Sequence, residues 1–110
     1  MPRMHQDHLI FIEALEGKQR VTLTFVSKDD DGAELVRTCA PMDFGPSSRA
    51  ADKSDRYHLW DYDSDSGRHT LSLLPIQVVS IELTEDTFDP GEFVAWDTNW
   101  HHPRDWGEYS

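Results

Sequence analysis

Residues 20–39, RVTLTFVSKDDDGAELVRTC, decide the fold of this chain. Apolar and polar side chains alternate from Arg20 to Phe25 in the strand predicted over residues 20–26, which is the period of a half-buried β-strand. The apolar set is Val21, Leu23 and Phe25. Residues 28–32, KDDDG, predict a tight turn, because an Asp-Gly pair supplies the positive φ that a reversal requires. Residues 34–39 then return as the second strand of a hairpin.

A short helix is predicted before this hairpin. Residues 8–16, HLIFIEALE, are good helix formers, Asp7 stands where an N-cap belongs, and Gly17 follows as the usual C-terminal stop. The apolar positions of the segment occupy more than one helix face. We therefore expect the helix to cover one side of a sheet.

Three further strands are predicted after the hairpin, in residues 56–62, 69–74 and 78–83. Pro75 separates the last two, because a proline cannot donate to a strand ladder. Residues 40–55 show no sustained period and predict a long loop. Five short strands joined by hairpins and led by one helix predict a mainly β domain, folded as a small antiparallel barrel whose closure removes exposed sheet edges.

The C-terminal extension, residues 84–110, is rich in large aromatic side chains. They are Phe88, Phe93, Trp96, Trp100 and Trp106. The spacing of Phe93, Trp96 and Trp100 predicts a short helix that packs on the barrel. The alternative interpretation is an exposed aromatic surface that binds a partner.

The whole chain, residues 1–110, is predicted to form one domain, because 110 residues lie in the commonest size range. The net charge of -11 disfavours general binding to nucleic acids and to anionic membranes. Cys39 is the only cysteine, which excludes an internal disulfide and fits a reducing, cytoplasmic setting. No apolar run predicts a signal peptide or a membrane span.

Three segments together resemble one protein family. They are residues 13–25, EALEGKQRVTLTF; residues 39–41, CAP; and residues 56–83, RYHLWDYDSDSGRHTLSLLPIQVVSIEL. The resemblance is to the WYL domain and spans about Leu9 to Leu83, with Tyr57, His58 and Leu59 where the Trp-Tyr-Leu signature falls. It implies an Sm-like small barrel of the kind found in bacterial transcriptional regulators, where it senses a ligand that is often nucleic acid or nucleotide-like.

This resemblance implies a non-enzymatic ligand-sensing or regulatory module without a cofactor. Basic residues flank the predicted loop and either form an anion site or pair with neighbouring aspartates; they are Arg37, Arg49, Lys53 and Arg56. We expect the contacts to a small anionic ligand or nucleotide to come from Arg37, Arg56, Tyr57 and His58. His58 has a second interpretation as a packed core residue.

A protein-interaction module is the alternative function. It would bind its partner through Trp96, Trp100 and Trp106, since indoles are frequent anchors at the centres of interfaces. An exposed tryptophan segment favours this alternative, and a packed one favours ligand sensing.

A metal site and an enzyme active site are both disfavoured. Asp61, Asp63 and Asp65 have the spacing of the first three ligands of a calcium loop, but Ser66 replaces the glycine and Ser72 the bidentate glutamate. A solvated hairpin turn is therefore preferred there. The six histidines complete no tetrahedral set, and no acid and base pair is visible in the sequence.

Overall fold

The structure is a computed structural model that describes residues 4–27, 32–47, 51, 53–63, 69–96 and 98–110. One α-helix, α1 (His8–Gly17), precedes five strands: β1 (Gln19–Val26), β2 (Glu34–Pro46), β3 (Asp55–Asp61), β4 (Thr70–Leu73) and β5 (Val78–Thr87). A 3-10 turn at Pro75–Gln77 separates β4 from β5, and two more follow β5 at Pro90–Glu92 and Gly107–Tyr109. The predicted mainly β domain with a leading helix and five strands is confirmed.

The five strands form one antiparallel sheet in the order β4-β3-β2-β1-β5. The predicted barrel is not closed, because β4 and β5 lie at opposite edges of this order and are not paired in the described part of the chain. These strands are consecutive in sequence, but the turn Pro75–Gln77 carries the chain across to β1. The sheet therefore keeps two edges.

Strand β2 continues well beyond its pairing with β1, and the prediction of a loop over residues 40–55 is wrong for residues 40–46. Its first half pairs with β1 up to Val21 opposite Cys39, and its second half pairs with β3 from Cys39 to Pro46. The register shifts between Pro41 and Asp43, which is where a bulge lets a proline sit inside a strand. The prolines concealed this strand, although β3 needs it as a partner.

Helix α1 covers the side of the sheet that we call the core face, which carries Val21, Leu23 and Phe25. The helix contributes Phe11, Ala14 and Leu15 to this core, and each is fully buried. Asp7 occupies the N-cap position, but its carboxylate accepts from Ile81 N on β5 at 3.1 Å and caps no helix N–H. The helix includes Gly17, and the residue after it, Lys18, is the C-cap that ends the helix with a left-handed φ of 54°.

The C-terminal extension packs on the domain as predicted. Phe88, Phe93 and Trp106 are buried, and the Trp106 indole N–H donates to the Leu15 carbonyl at 2.9 Å. The predicted short helix is not found at Phe93, Trp96 and Trp100, which lie outside the 3-10 turns of this extension. The tryptophan rings of this extension contact one another: the Trp100 ring centroid lies 5.5 Å from that of Trp106 and 6.0 Å from that of Trp96.

In the described ranges, no helix has the length and apolar character needed to cross a membrane.

Candidate functional site

Strand β3 carries three of the four residues predicted to contact a ligand, and its alternation separates them. Tyr57, Leu59 and Asp61 are buried on the core face. Arg56, His58 and Trp60 point to the opposite side, which we call the outer face. Directly paired residues share a face, so the outer face also carries Asp43 opposite His58 and Gly45 opposite Arg56.

Tyr57 is fully buried and does not reach a surface. Its hydroxyl accepts the backbone N–H of His5 at 2.8 Å and lies 3.0 Å from His8 Nδ1. Its ring contacts Phe11 edge-on at a centroid distance of 4.8 Å. Burial raises the pKa of the Tyr57 hydroxyl. The role of this residue is to attach the N-terminal turn to the sheet.

Arg37 lies apart from the other predicted residues. Its Nε is 3.6 Å from the Asp61 carboxylate, at the end of β3 away from Arg56. Five residues of strand separate Asp61 from Arg56, or roughly 16 Å. Burial raises the pKa of the Asp61 carboxyl, and the hydrogen bond from Asp63 and the charge of Arg37 oppose the rise. Arg37 is therefore committed to an ion pair.

The described aspartates of the calcium-like motif accept backbone N–H groups. Asp61 Oδ1 accepts from Asp63 N at 2.8 Å, and Asp63 Oδ2 accepts from Thr38 N at 2.6 Å. Asp65 lies outside the described residues. Within the part of the chain that the structure describes, no group of three His, Cys, Asp or Glu side chains is placed to hold a metal ion.

Arg56 and His58 are brought together on the outer face. Arg56 Nε is buried and has no hydrogen-bond partner, and no described carboxylate lies within ion-pair distance of this side chain. His58 Nε2 lies 2.9 Å from the Gly45 carbonyl, and Nδ1 lies 2.9 Å from Ser72 Oγ. A carbonyl only accepts, so Nε2 carries the proton and Nδ1 of the neutral ring accepts from the serine.

Burial lowers the pKa of His58. The hydrogen bond to the Gly45 carbonyl and the charge of Asp43 oppose this shift, whereas His101 and Arg56 add to it. The neutral imidazole is therefore the favoured form near pH 7. The His58 ring is half-buried on the outer face, away from the core-face residues Tyr57 and Leu59.

His101 is the site residue that sequence reasoning missed. It belongs to the C-terminal extension, and its ring lies over Gly45: a Cβ at Gly45 would be 2.5 Å from the His101 ring. The sequence offered only an adjacent histidine pair 56 residues further along the chain than Gly45. We call the cluster of Arg56, His58, Ser72 and His101 the outer-face site.

A buried ion pair fixes the C-terminal extension beside this site. Arg104 NH2 lies 3.1 Å from Asp43 Oδ1, and both side chains are almost completely buried. The same carboxylate accepts the backbone N–H groups of His101 at 2.8 Å and His102 at 3.0 Å. Burial lowers the pKa of Arg104 to about 10, and Asp43 opposes the shift, so the guanidinium stays charged at neutral pH.

The remaining bonds of Arg104 close the cluster. Its guanidinium donates to the carbonyls of Met42 and His102 and lies 4.2 Å and 4.4 Å from the ring centroids of Trp100 and Trp106. No spacing in the sequence links Asp43 with Arg104, because the two are 61 residues apart. This pair is structural, since it leaves no group free for a ligand.

The three predicted partner-binding tryptophans have different environments. Trp106 is 3% exposed and Trp100 is half-buried, whereas Trp96 is 48% exposed. Trp100 donates its indole N–H to the Tyr109 carbonyl at 2.7 Å. Only Trp96 of these three therefore presents a large apolar surface.

The other polar residues considered in the sequence have structural contacts. Cys39 is buried, and burial raises the pKa of its thiol far above neutral, so it is no nucleophile in this state. Lys53 Nζ donates to the Ser47 carbonyl at 3.2 Å. Arg49 lies outside the described residues.

Comparison of the chain with protein-family models, with curated proteins and with solved structures gave no match.

Proposed function

We propose that this chain is a non-enzymatic ligand-binding module that takes a small anion, such as a phosphate group or a nucleotide, at the outer-face site. The observation that carries the proposal is Arg56. Its Nε is buried without a hydrogen-bond partner, in a chain of net charge -11 where described aspartates already pair with Arg37 and Arg104.

A buried donor without an acceptor costs about 1–3 kcal/mol, and more when the group is charged. An anionic oxygen placed against Arg56 would remove that cost and form a charge-assisted hydrogen bond. Phosphate and carboxylate match the planar guanidinium because they accept two parallel N–H groups. The arrangement therefore favours an anion of this geometry.

His101, a neighbour of Arg56, supplies a further donor. Its imidazole lies on the same side of the sheet and the residue is exposed, whereas the Ser72 hydroxyl already donates to His58 Nδ1. The overall negative charge repels a long phosphate backbone, so a small ligand fits better than a nucleic acid. The resemblance to the WYL domain supports a sensing or regulatory role for such binding.

Calorimetric titration with inorganic phosphate and with adenosine monophosphate at low salt tests this proposal. Arg56→Gln should weaken binding by about tenfold or more, the value of one hydrogen bond to a charged group. Arg20→Gln is the matched control: it removes the same charge beside Tyr62, where the Arg20 guanidinium lies 4.1 Å from the ring centroid. Equal loss in both variants, or no binding to the wild-type chain, would contradict the proposal.

A second candidate function is supported by Trp96 alone. Its exposed indole lies beside Trp100, at the outer surface of the C-terminal extension. We propose that a protein partner would contact Trp96, and that Trp106 would only support the surface from below. Pull-down with the wild-type chain and with Trp96→Ala tests this: a partner retained by both proteins would contradict the role of Trp96.

A further inference from the structure

Two separate parts of the chain build the outer-face site. Arg56, His58 and Ser72 come from β3 and β4, whereas His101 comes from the C-terminal extension. The backbone on either side of the His101 side chain is fixed, because the N–H groups of His101 and His102 both donate to Asp43. The position of the His101 ring is therefore set by the docking of the extension.

The His101 ring packs directly on the backbone of Gly45. A Cβ added at Gly45 would lie 2.5 Å, 2.6 Å and 2.9 Å from three atoms of His101, which is closer than real side chains approach. A residue with a side chain at position 45 would push the imidazole away. The absence of a side chain here allows the extension to reach the sheet.

His101 and Arg56 are both neighbours of Gly45. Arg56 is the direct strand partner of Gly45, so its Cβ lies on the same face, at about 5 Å from the position over Gly45. The charges of both residues also lower the pKa of His58, so both side chains lie near the His58 ring. A single anion of phosphate size can therefore contact both side chains.

We propose that the anion bound at the outer-face site bridges Arg56 of the sheet and His101 of the C-terminal extension, so that binding stabilises the docked extension. This inference rests on the proposed function and adds a specificity residue and a form of regulation to it. The ligand-free chain docks the extension through Asp43 and Arg104; the ligand adds a second link. A partner that needs the extension undocked would compete with the ligand.

Titration of the labelled full chain with inorganic phosphate, followed by amide NMR, tests the bridge. His101→Ala should weaken phosphate binding by about tenfold, as expected for the loss of one charge-assisted hydrogen bond. His102→Ala is the matched control, since it removes the adjacent imidazole, which contacts Glu16 at 3.1 Å, and keeps both backbone bonds to Asp43. It should bind phosphate as the wild type does.

Gly45→Ala is the second variant: it removes no polar side chain but displaces the His101 imidazole. It should weaken phosphate binding to the level of His101→Ala, and the double variant should be no weaker than either single variant. Saturating phosphate should also slow hydrogen exchange at the backbone N–H groups of His101 and His102 in the wild type. No slowing is expected in Arg56→Gln.

The outcomes separate this inference from the proposed function. Phosphate binding by the wild type with equal affinity in His101→Ala and His102→Ala overturns the bridge and leaves the anion site at Arg56. Absence of wild-type binding overturns the site and the bridge together. A dispersed amide spectrum establishes that each variant is folded. If His101→Ala unfolds, exchange protection in His101→Leu, which also has no side-chain donor, decides, and unchanged slowing by phosphate there overturns the bridge.

Discussion

Asp43 and Arg104 show how a single pair of residues fixes the C-terminal extension. The Asp43 carboxylate accepts three backbone N–H groups, from Phe44, His101 and His102, as well as the guanidinium of Arg104. Burial of an ion pair is costly, and it is tolerated here because the carboxylate has several donors and the guanidinium packs against two indoles.

Removal of one member of this pair should be strongly destabilising. Arg104→Gln leaves the Asp43 carboxylate buried without its counter-charge, so the free energy of unfolding should fall by about 3–5 kcal/mol. Urea denaturation followed by circular dichroism measures the change. Glu16→Gln is the control, because its ion pair with His102 is exposed and should contribute less than about 1 kcal/mol. Equal effects of the two substitutions would contradict this account.

His8 and His58 should make the domain less stable in acid. Burial lowers the pKa of each below the ordinary value of 6.5, so the unfolded chain binds more protons than the folded one. Their contribution to stability is complete above pH 6.5 and is lost as the pH falls below it. Asp61, whose pKa burial raises, acts in the opposite direction at lower pH.

Urea denaturation at about pH 7.5 and about pH 5.5 measures this effect, with a His8→Gln/His58→Gln double variant as the reference. The wild type should lose more stability between these two pH values than the double variant does. An equal loss in both proteins would show that these two rings do not couple folding to protons.

At the scale of elements, the alternation of apolar and polar residues predicted strands better than the positions of proline and glycine predicted loops. The alternation over residues 20–25 placed β1 within one residue of its observed start. Pro41, Gly45 and Pro46 suggested a loop, yet they lie in β2, because a bulge near Pro41 resets the register with β3. A bulge breaks the period that reveals a strand, so the second half of β2 was not predictable from its own residues.

The same comparison explains which site residues the sequence could identify. Arg56 and His58 were predicted and do lie together, since they are two apart on one strand. Tyr57, between them, faces the core, and strand alternation alone argues against grouping all three. His101 and Arg104 were beyond reach, because their positions depend on contacts across more than 50 residues of chain.

The tryptophan fluorescence of the chain should combine emission from buried and exposed indoles. Trp106 is buried and bonded to Leu15, Trp60 is stacked on Phe93 at 5.3 Å, and Trp96 is exposed. Acrylamide should quench part of the emission, and Trp96→Phe should remove most of the quenchable part. Quenching that survives in Trp96→Phe would mean that the extension is undocked in solution.

At the scale of the whole molecule, a strongly negative net charge contrasts with the cationic side chain of Arg56. The net charge of -11 disfavours the approach of polyanions, while the buried Nε of Arg56 has no hydrogen-bond partner. Charge repulsion of this kind is screened by salt, because the Debye length falls to about 8 Å at physiological ionic strength. The proposed function therefore predicts that ligands are selected by size as well as by charge.

Affinity for small and long phosphates should therefore respond differently to salt. Adenosine monophosphate should bind more weakly as salt rises, because its contact with Arg56 is screened. A 20-nucleotide single strand should be a poor ligand at low ionic strength, where the net charge of -11 repels it most strongly. Fluorescence anisotropy of labelled ligands measures both, and tighter binding of the long strand at low salt would contradict the account.

The Nε–H resonance of Arg56 tests the anion site most directly. It can be assigned in the ¹⁵N spectrum by its loss in Arg56→Gln and followed as inorganic phosphate is added at low salt. The account predicts a saturable downfield shift of this signal, with smaller shifts at His58, Ser72 and His101, as the buried donor gains its acceptor. An Arg56 Nε–H signal that does not move at millimolar phosphate would contradict it.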